Sequence, residues 1–304
     1  MSAAPYREQI SLLLRVLPIV GREGAFALKG GTAINLFVRD LPRLSVDIDL
    51  AFLPLVDRVT SLTAIHEALQ RVQSLIKRQI PGTTVHASRR TDTPKLFIDA
   101  RGARVTVEPT VTLRGSVFPP REARTAAAVE AEFEQSVSTR VLSLADLYGG
   151  KLVAALDRQH PRDLFDVKVL LDAEGLTDEI RTAFVIYLAS HSRPIAELLD
   201  PRLKPLERLF ESQLAGMIRS PITCRELEAT RDQLIRGVQR DLSPSERAFL
   251  LSLKRGEPQW ELIPVAHLRE MPAIQWKLRT LRQLAKRPRQ HEAAIRRLRE
   301  VLRV

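Results

Sequence analysis

The five residues Val46-Asp47-Ile48-Asp49-Leu50 restrict this chain more than any other stretch of that length. Apolar and acidic side chains alternate, which is the pattern of a strand with one dry face and one wet face. Side chains two apart on a strand point the same way. Asp47 and Asp49 therefore project together, while Val46, Ile48 and Leu50 turn to a core. Two neighbouring carboxylates repel, and a cation between them removes the repulsion. Hard oxygen donors of this kind suit Mg²⁺ or Mn²⁺. Upstream, Gly30-Gly31-Thr32 leads into a short helix over 32–38. Backbone N–H groups at a helix start, unobstructed by side chains, make an anion site that suits phosphate. A phosphate cradle beside a carboxylate pair outlines a nucleotide–metal site. The bland alternative is a turn followed by a surface strand.

The flanking sequence supplies the rest of a sheet. Residues 5–20 read as a helix and Phe26-Ala27-Leu28-Lys29 as a short strand entering the glycine turn. Leu62, Ile65, Leu69, Val72, Leu75 and Ile76 recur at helical spacing, so 62–80 is an amphipathic helix covering one sheet face. His66 on that helix reads as structural. Three strands follow, over 84–88, 95–100 and 104–110. In the last of these, Thr106 and Glu108 share a face, and Val105 and Val107 share the other. Residues 114–136, polar and alanine-rich, read as a connecting segment.

A second motif begins at Ser143. Ser143 with Asp146 three residues on caps a helix that carries Lys151 and runs to about Asp157. Arg158-Gln159-His160-Pro161 then breaks that helix, and Arg162-Asp163-Leu164-Phe165-Asp166-Val167 starts the next, where Asp163 and Asp166 share a face. Helical patterns dominate from Thr177 onward, with Ser243-Pro244-Ser245-Glu246 a further strong helix start. The division expected is an α/β core over 1–136 and a helical domain over 137–304.

Composition limits the partners. Within 304 residues, 47 Lys and Arg against 36 Asp and Glu leave a net charge of +11, which favours a polyanion such as nucleic acid. The single cysteine, Cys224, cannot form an internal disulfide, in keeping with a reducing cytoplasm. Arg15 interrupts the apolar run Ile10–Val20, so it reads as an amphipathic helix rather than a targeting segment. No apolar run is long enough to span a bilayer, so no membrane role is expected.

With both motifs in view, the chain resembles the AbiEii/MenT-type nucleotidyltransferase toxins of the polymerase-β-like nucleotidyltransferase superfamily. The first motif is GG-T followed by R-x-S-x-D-I-D-L, with Gly-Gly-Thr in place of the superfamily's usual Gly-Ser. The second is K…R-x-x-x-R-D-x-x-D-V, met by Lys151, Arg158, Arg162, Asp163, Asp166 and Val167. The resemblance covers roughly residues 20–175. It implies an α+β fold: a polymerase-β-like core of mixed sheet and flanking helices, followed by a mostly helical part. It implies metal ligation by Asp47, Asp49 and a third carboxylate, Glu108, with Asp99 the competitor. Nucleotide binding would fall to Gly30, Gly31, Thr32, Arg43, Ser45 and Lys151. Lys151 and one aspartate of the second helix, Asp166 ahead of Asp163, would be catalytic beside Asp47 and Asp49, with Arg158, Arg162 and Asp163 in support. The reaction implied moves NMP from an NTP to an acceptor hydroxyl and releases pyrophosphate, with Mg²⁺ or Mn²⁺ as cofactor. The biological role implied is the toxin of a type IV toxin–antitoxin pair, acting in the cytoplasm on RNA, the tRNA 3′ end foremost, and paired with a cognate antitoxin.

The C-terminal segment agrees with an RNA acceptor. Lys277, Arg279, Arg282, Lys286, Arg287, Arg289, Arg296, Arg297, Arg299 and Arg303 face only Glu292 and Glu300 there, and such a helix surface suits a phosphate backbone. Arg296, Arg297 and Arg299 are the RNA contacts expected. Trp260 and Trp276 read as core anchors. A protein or small-molecule acceptor, or a non-catalytic nucleic-acid-binding module, stays open at this level.

Overall fold

The alternation at the acidic strand becomes the middle of a sheet. A computed structural model describes residues 4–304 and orders its first elements as α1 (Ala4–Val20), β1 (Phe26–Lys29), α2 (Gly30–Ala33, continued by one π-helical turn over Ile34–Val38), β2 (Asp47–Phe52), α3 (Arg58–Gln79), β3 (Thr84–Ala87), β4 (Leu96–Ala100), β5 (Ala103–Thr110), β6 (Arg121–Arg124), α4 (Ala127–Phe133), β7 (Ser138–Val141) and α5 (Leu144–Arg158). The strands form one seven-stranded mixed sheet in the order β3-β4-β5-β2-β1-β7-β6. β2 lies antiparallel to β1 and parallel to β5.

One face of that centre is dry. Ile48, Leu50, Val105 and Val107 are at most 2% exposed, with α1 packed against β5 and β2. Burying Ile48 and Leu50 contributes about 3–6 kcal/mol. Asp47 and Asp49, two strand residues apart, repel by about 1–3 kcal/mol at an interfacial dielectric. The apolar term wins, so it fixes which face the carboxylates take.

The β4–β5 connection sets the next register. Arg101 and Gly102 form a two-residue turn, both at positive φ (48° and 80°), the geometry that matches hairpin twist. It pairs Asp99 with Arg104 and Leu96 with Val107. Asp99 is thereby committed to the turn end, where Arg104 Nε bonds it at 2.7 Å.

Several boundaries differ from the sequence reading for local reasons. α3 begins at Arg58, before the apolar periodicity starts, because Asp57 accepts from the Val59 and Thr60 amides at 2.8 and 3.1 Å. Residues 114–136 hold β6 and α4 rather than a plain connection. β6 and β7 carry little apolar signal, since β6 is a charged edge strand, Arg121-Glu122-Ala123-Arg124, with only Ala123 buried. In that segment the buried Asp146 carboxylate accepts from the Val117 and Phe118 amides at 2.7 and 2.9 Å and from Ser143 Oγ at 2.7 Å. Ser143 caps α5 as its spacing implied, accepting from the Asp146 amide.

The remaining helices are α6 (Pro161–Ala173), α7 (Asp178–Ser190), α8 (Ile195–Leu199), α9 (Glu207–Gln213), α10 (Cys224–Asp241), α11 (Pro244–Arg255), α12 (Pro272–Ala285) and α13 (Pro288–Leu302). Among the described residues no helix is long and apolar enough to cross a membrane. The chain divides into two compact units, residues 1–147 with 211–221 and residues 148–210 with 222–304. β7 belongs to the sheet, so the first unit extends past the boundary expected at 136.

Two aromatic or basic assignments change. Trp276 is 62% exposed rather than a core anchor, whereas Trp260 stacks at a tilt on Phe249, ring centroids 6.3 Å apart. Lys277 is buried and leaves the basic surface. Its Nζ donates to the His191 and Arg193 carbonyls at 2.7 Å each, and burial brings its pKa down from the usual lysine value to about 8.

Two expectations follow. Asp146→Ala strips a buried and a part-buried amide of their acceptor and is expected to lower unfolding free energy by about 3 kcal/mol, read by urea denaturation. Lys277 is charged in both folded and unfolded chains below about pH 8 and neutral in both above the unfolded value near 10.5. The unfolded chain binds the extra proton between those limits, so this lysine's contribution to stability rises with pH across that window. The stability difference between the wild type and Lys277→Met is expected to grow by up to about 3 kcal/mol from pH 8 to pH 10.5. A pH-independent difference would contradict it.

Candidate active site

The register across β1, β2 and β5 assembles the acidic row. Asp49 pairs with Lys29 on one side and with Glu108 on the other, and Asp47 pairs with Thr106. Paired residues share a face, so Lys29, Asp49 and Glu108 form one row across three strands and Asp47 with Thr106 the next. Asp47 is exposed and Asp49 half-buried, opposite the dry face. Asp99, the alternative third carboxylate, shares that face but stands at the hairpin end of β4, four positions along the ladder.

Two lysines that the sequence reading passed over accompany the row. Lys95 Nζ lies 2.6 Å from Glu108 Oε2, because the β4–β5 register extends to set Lys95 opposite Glu108. Lys29 Nζ reaches Thr110 Oγ1 at 3.5 Å. Their only advance signal was register, which a single strand pattern does not carry.

The glycine pair is explained by what lies against it. Gly30 sits at φ +74°, and a Cβ there would overlap the Asp49 carboxylate. A Cβ on Gly31 would stand 2.7 Å from the Arg43 guanidinium and 2.9 Å from Ser45 Oγ. Thr32 Oγ1 donates to the Asp47 carbonyl at 2.5 Å and lies 3.0 Å from Ser45 Oγ. Asn35 Nδ2 bonds the Gly31 carbonyl at 2.8 Å. Gly30, Gly31, Thr32, Arg43 and Ser45 are thus brought together, but Thr32, Arg43 and Ser45 are 0%, 2% and 8% exposed. Those three side chains form a buried brace behind the two aspartates, while Gly30 and Gly31 are half-buried. The chain enters β2 from a loop held down elsewhere in this unit, where Leu44 N bonds the Met217 carbonyl at 2.8 Å.

The donor chemistry suits a hard cation. Mg²⁺ is commonly held by one or two carboxylates together with substrate phosphates and water, and Asp47 and Asp49 supply such a pair. Among the described residues no three acidic, histidine or cysteine side chains converge as a cage. Glu108 is in register with Asp49 but its carboxylate is drawn to Lys95.

The second motif forms its own cluster within the helical unit. Lys151 Nζ lies 2.9 Å from Asp163 Oδ1 and 3.0 Å from Asp166 Oδ2. Arg158, itself 61% exposed, reaches Asp163 Oδ2 at 2.7 Å. Both aspartates and the lysine are buried. Burial by itself would raise the Asp163 carboxyl, but Lys151 and Arg158 outweigh it and hold it below the usual carboxylate range. The helix break that brings α6 back is capped by His160, whose Nδ1 accepts from the Arg162 amide at 3.1 Å. Arg162 does not join the cluster through an ion pair among the described residues. Asp163 and Asp166 cannot be ranked by position, since both hold the same ammonium.

Of the RNA contacts expected on α13, Arg296, Arg297 and Arg299 are exposed. Arg297 is already paired with Asp200 and Glu300.

A sequence model of the family described as "Nucleotidyl transferase AbiEii toxin, Type IV TA system" matches residues 11–280. No curated protein matches the chain. Among solved structures, MenT4, a nucleotidyltransferase toxin from Mycobacterium tuberculosis H37Rv, superposes with a TM-score of 0.63 at 16% identity, over 92% of this chain and 94% of its own. At that identity the likeness speaks for the fold, which is the α+β arrangement the sequence implied.

The glycine brace gives a test. Gly30→Ala combines a left-handed backbone position with overlap on Asp49. It is expected to weaken Mn²⁺ binding at least tenfold by calorimetry and to cost about 1 kcal/mol or more of stability. Gly150→Ala, where a Cβ meets nothing within 4 Å inside α5, is expected to stabilise by about 0.5–1 kcal/mol and to leave Mn²⁺ binding unchanged.

Proposed function

The chain belongs to the AbiEii family of nucleotidyltransferase toxins of type IV toxin–antitoxin systems, and from that premise we propose that it moves NMP from an NTP to RNA, the tRNA 3′ end foremost, and thereby blocks translation. The observation that carries the reading is the row Lys29–Asp49–Glu108 with Asp47 beside it, charged side chains on the wet face of a central strand. Mg²⁺ or Mn²⁺ held by Asp47 and Asp49 would polarise the NTP phosphates and stabilise pyrophosphate as it leaves. Asp49 is kept in place by Gly30, which leaves room for its carboxylate. Asp47 is kept in place by Thr32, which fixes its backbone. We assign Gly31, Arg43 and Ser45 to the same brace. We assign Glu108, in register with Asp49 and paired with Lys95, as the third carboxylate. Lys29 adds positive charge in the same row, where a triphosphate needs it.

In the second motif, Lys151 is the point charge offered to a phosphate. Asp163 and Asp166 hold it charged and oriented, and Arg158 steadies Asp163. The excess of 47 Lys and Arg over 36 Asp and Glu supports a polyanionic acceptor. The toxin role carries a cognate antitoxin with it, and we place the reaction in the cytoplasm, where tRNA and NTPs meet.

The test is transfer of label from each α-labelled NTP to total RNA, protein or neither. Label is expected in tRNA, lost on chelation of divalent metal, restored by Mg²⁺ or Mn²⁺, and reduced at least a hundredfold in Asp49→Ala. Glu108→Gln is expected to lower the rate more than tenfold, while Asp99→Asn stays within twofold. Label confined to protein would overturn the RNA acceptor, and equal losses in the two carboxamide variants would remove Glu108 from the metal set.

A further inference from the structure

Trp276 carries an observation that the proposed function does not use. The indole lies on α12, inside the helical unit, and is 62% exposed. Single exposed apolar side chains are ordinary on protein surfaces, so exposure by itself says little. Its surroundings say more. No aspartate or glutamate occurs between Met271 and His291. In the same stretch Arg279, Arg282, Lys286, Arg287 and Arg289 are all exposed, and none of the five takes part in an ion pair among the described residues.

The spacing aligns them. Trp276, Arg279 and Gln283 stand at i, i+3 and i+7, a single stripe that rises about 10 Å along α12 at 1.5 Å per residue, and Lys286 and Arg287 follow directly past its end. The opposite side of the helix is the packed one, with Ala273, Ile274, Leu278 and Leu281 at most 4% exposed. The indole is thus held out by its phase on the helix, with cations on the turns that follow it.

We propose that this stripe is a binding site for a single-stranded stretch of RNA, with one unpaired base stacked on Trp276 and the adjoining phosphates held by Arg279, Lys286 and Arg287. The assignment rests on the RNA reading above and deepens it by naming where an unpaired part of the acceptor is held. An aromatic face beside a row of cations is the physical requirement for sequence-tolerant single-strand binding: the ring takes the base, and the cations take the backbone. A protein partner fits the stripe less well, because a stable protein interface needs contiguous apolar area at its centre, and this face offers one ring among charges. The site also differs from the α13 arginines, where Arg297 is already neutralised by Asp200 and Glu300.

The experiment titrates the full-length chain with a single-stranded oligoribonucleotide while tryptophan emission is followed. Trp276→Phe leaves Trp260 as the remaining tryptophan, one of two in the chain. RNA is expected to quench wild-type emission and to leave that of Trp276→Phe nearly unchanged. Trp276→Ala is expected to weaken binding about tenfold or more, and Trp276→Phe, which keeps a stacking face, to stay within about threefold. Arg279→Gln, Lys286→Gln and Arg287→Gln together are expected to reduce the slope of log affinity against log salt by about 2, at roughly 0.7 per lost single-strand phosphate contact. Unaltered thermal melting of these surface variants separates binding from folding.

Unchanged RNA affinity in Trp276→Ala would overturn the site. So would quenching by polyglutamate as strong as that by RNA, which would mark a face for an acidic protein. Label transfer assayed on the same preparations keeps the two readings apart. Transfer to RNA unaffected by Trp276→Ala, with no quenching, removes the stacking site and leaves the proposed reaction standing. Quenching by RNA with no label transferred to any RNA does the reverse.

Discussion

Two carboxylates side by side on the central strand of a sheet are held there against their own repulsion, and much of the first unit serves that constraint. The dry face of β2 decides the orientation, since the burial of Ile48 and Leu50 outweighs the cost of bringing Asp47 and Asp49 together. The brace behind them then fixes position. Gly30 has no side chain because the Asp49 carboxylate occupies that space, and Gly31 has none because Arg43 and Ser45 do. Thr32 uses its hydroxyl on the Asp47 backbone. The glycine pair that reads as a phosphate cradle in sequence also leaves, in space, the room that the acidic side chains and their supports require.

The helical unit meets the opposite problem, a buried ammonium. Lys151 is 8% exposed, and isolating such a charge from water costs several kcal/mol unless it is paired. Asp163 and Asp166 pair it, and Arg158 offsets the second negative charge. The i, i+3 spacing of the aspartates puts both on one side of α6, and the break at Gln159–His160 returns α6 toward α5 so that they meet the lysine. Charge and topology are therefore coupled here. The same residues that would serve a phosphate also tie two helices together.

Surface charge is distributed less evenly than the sequence suggests. Lys277 looks like one more cation in a basic tail but is buried against two carbonyls, and its pKa falls to about 8 as a result. Arg297 looks free but is paired. The stretch from Met271 to His291 has no acid at all, its exposed cations take part in no ion pair among the described residues, and the one large aromatic residue standing among them is exposed as well.

The sequence by itself determined the elements with strong periodicity or caps: the acidic strand, the amphipathic helix over 62–80, the strands over 84–110 and the capped start at Ser143. It also set which acidic side chains share a face, because the alternation at Asp47–Asp49 and the i, i+3 spacing of Asp163 and Asp166 are local properties. It did not determine β6 or β7, whose short polar stretches acquire strand form only from their neighbours. It could not set Glu108 rather than Asp99 level with Asp49, place Lys95 opposite Glu108, or tell that Trp276 lies outward while Lys277, one residue on, lies inward. Those outcomes depend on strand register and on helix phase against a packed neighbour, which are set by contacts between segments distant in the chain, and only the tertiary structure decides them.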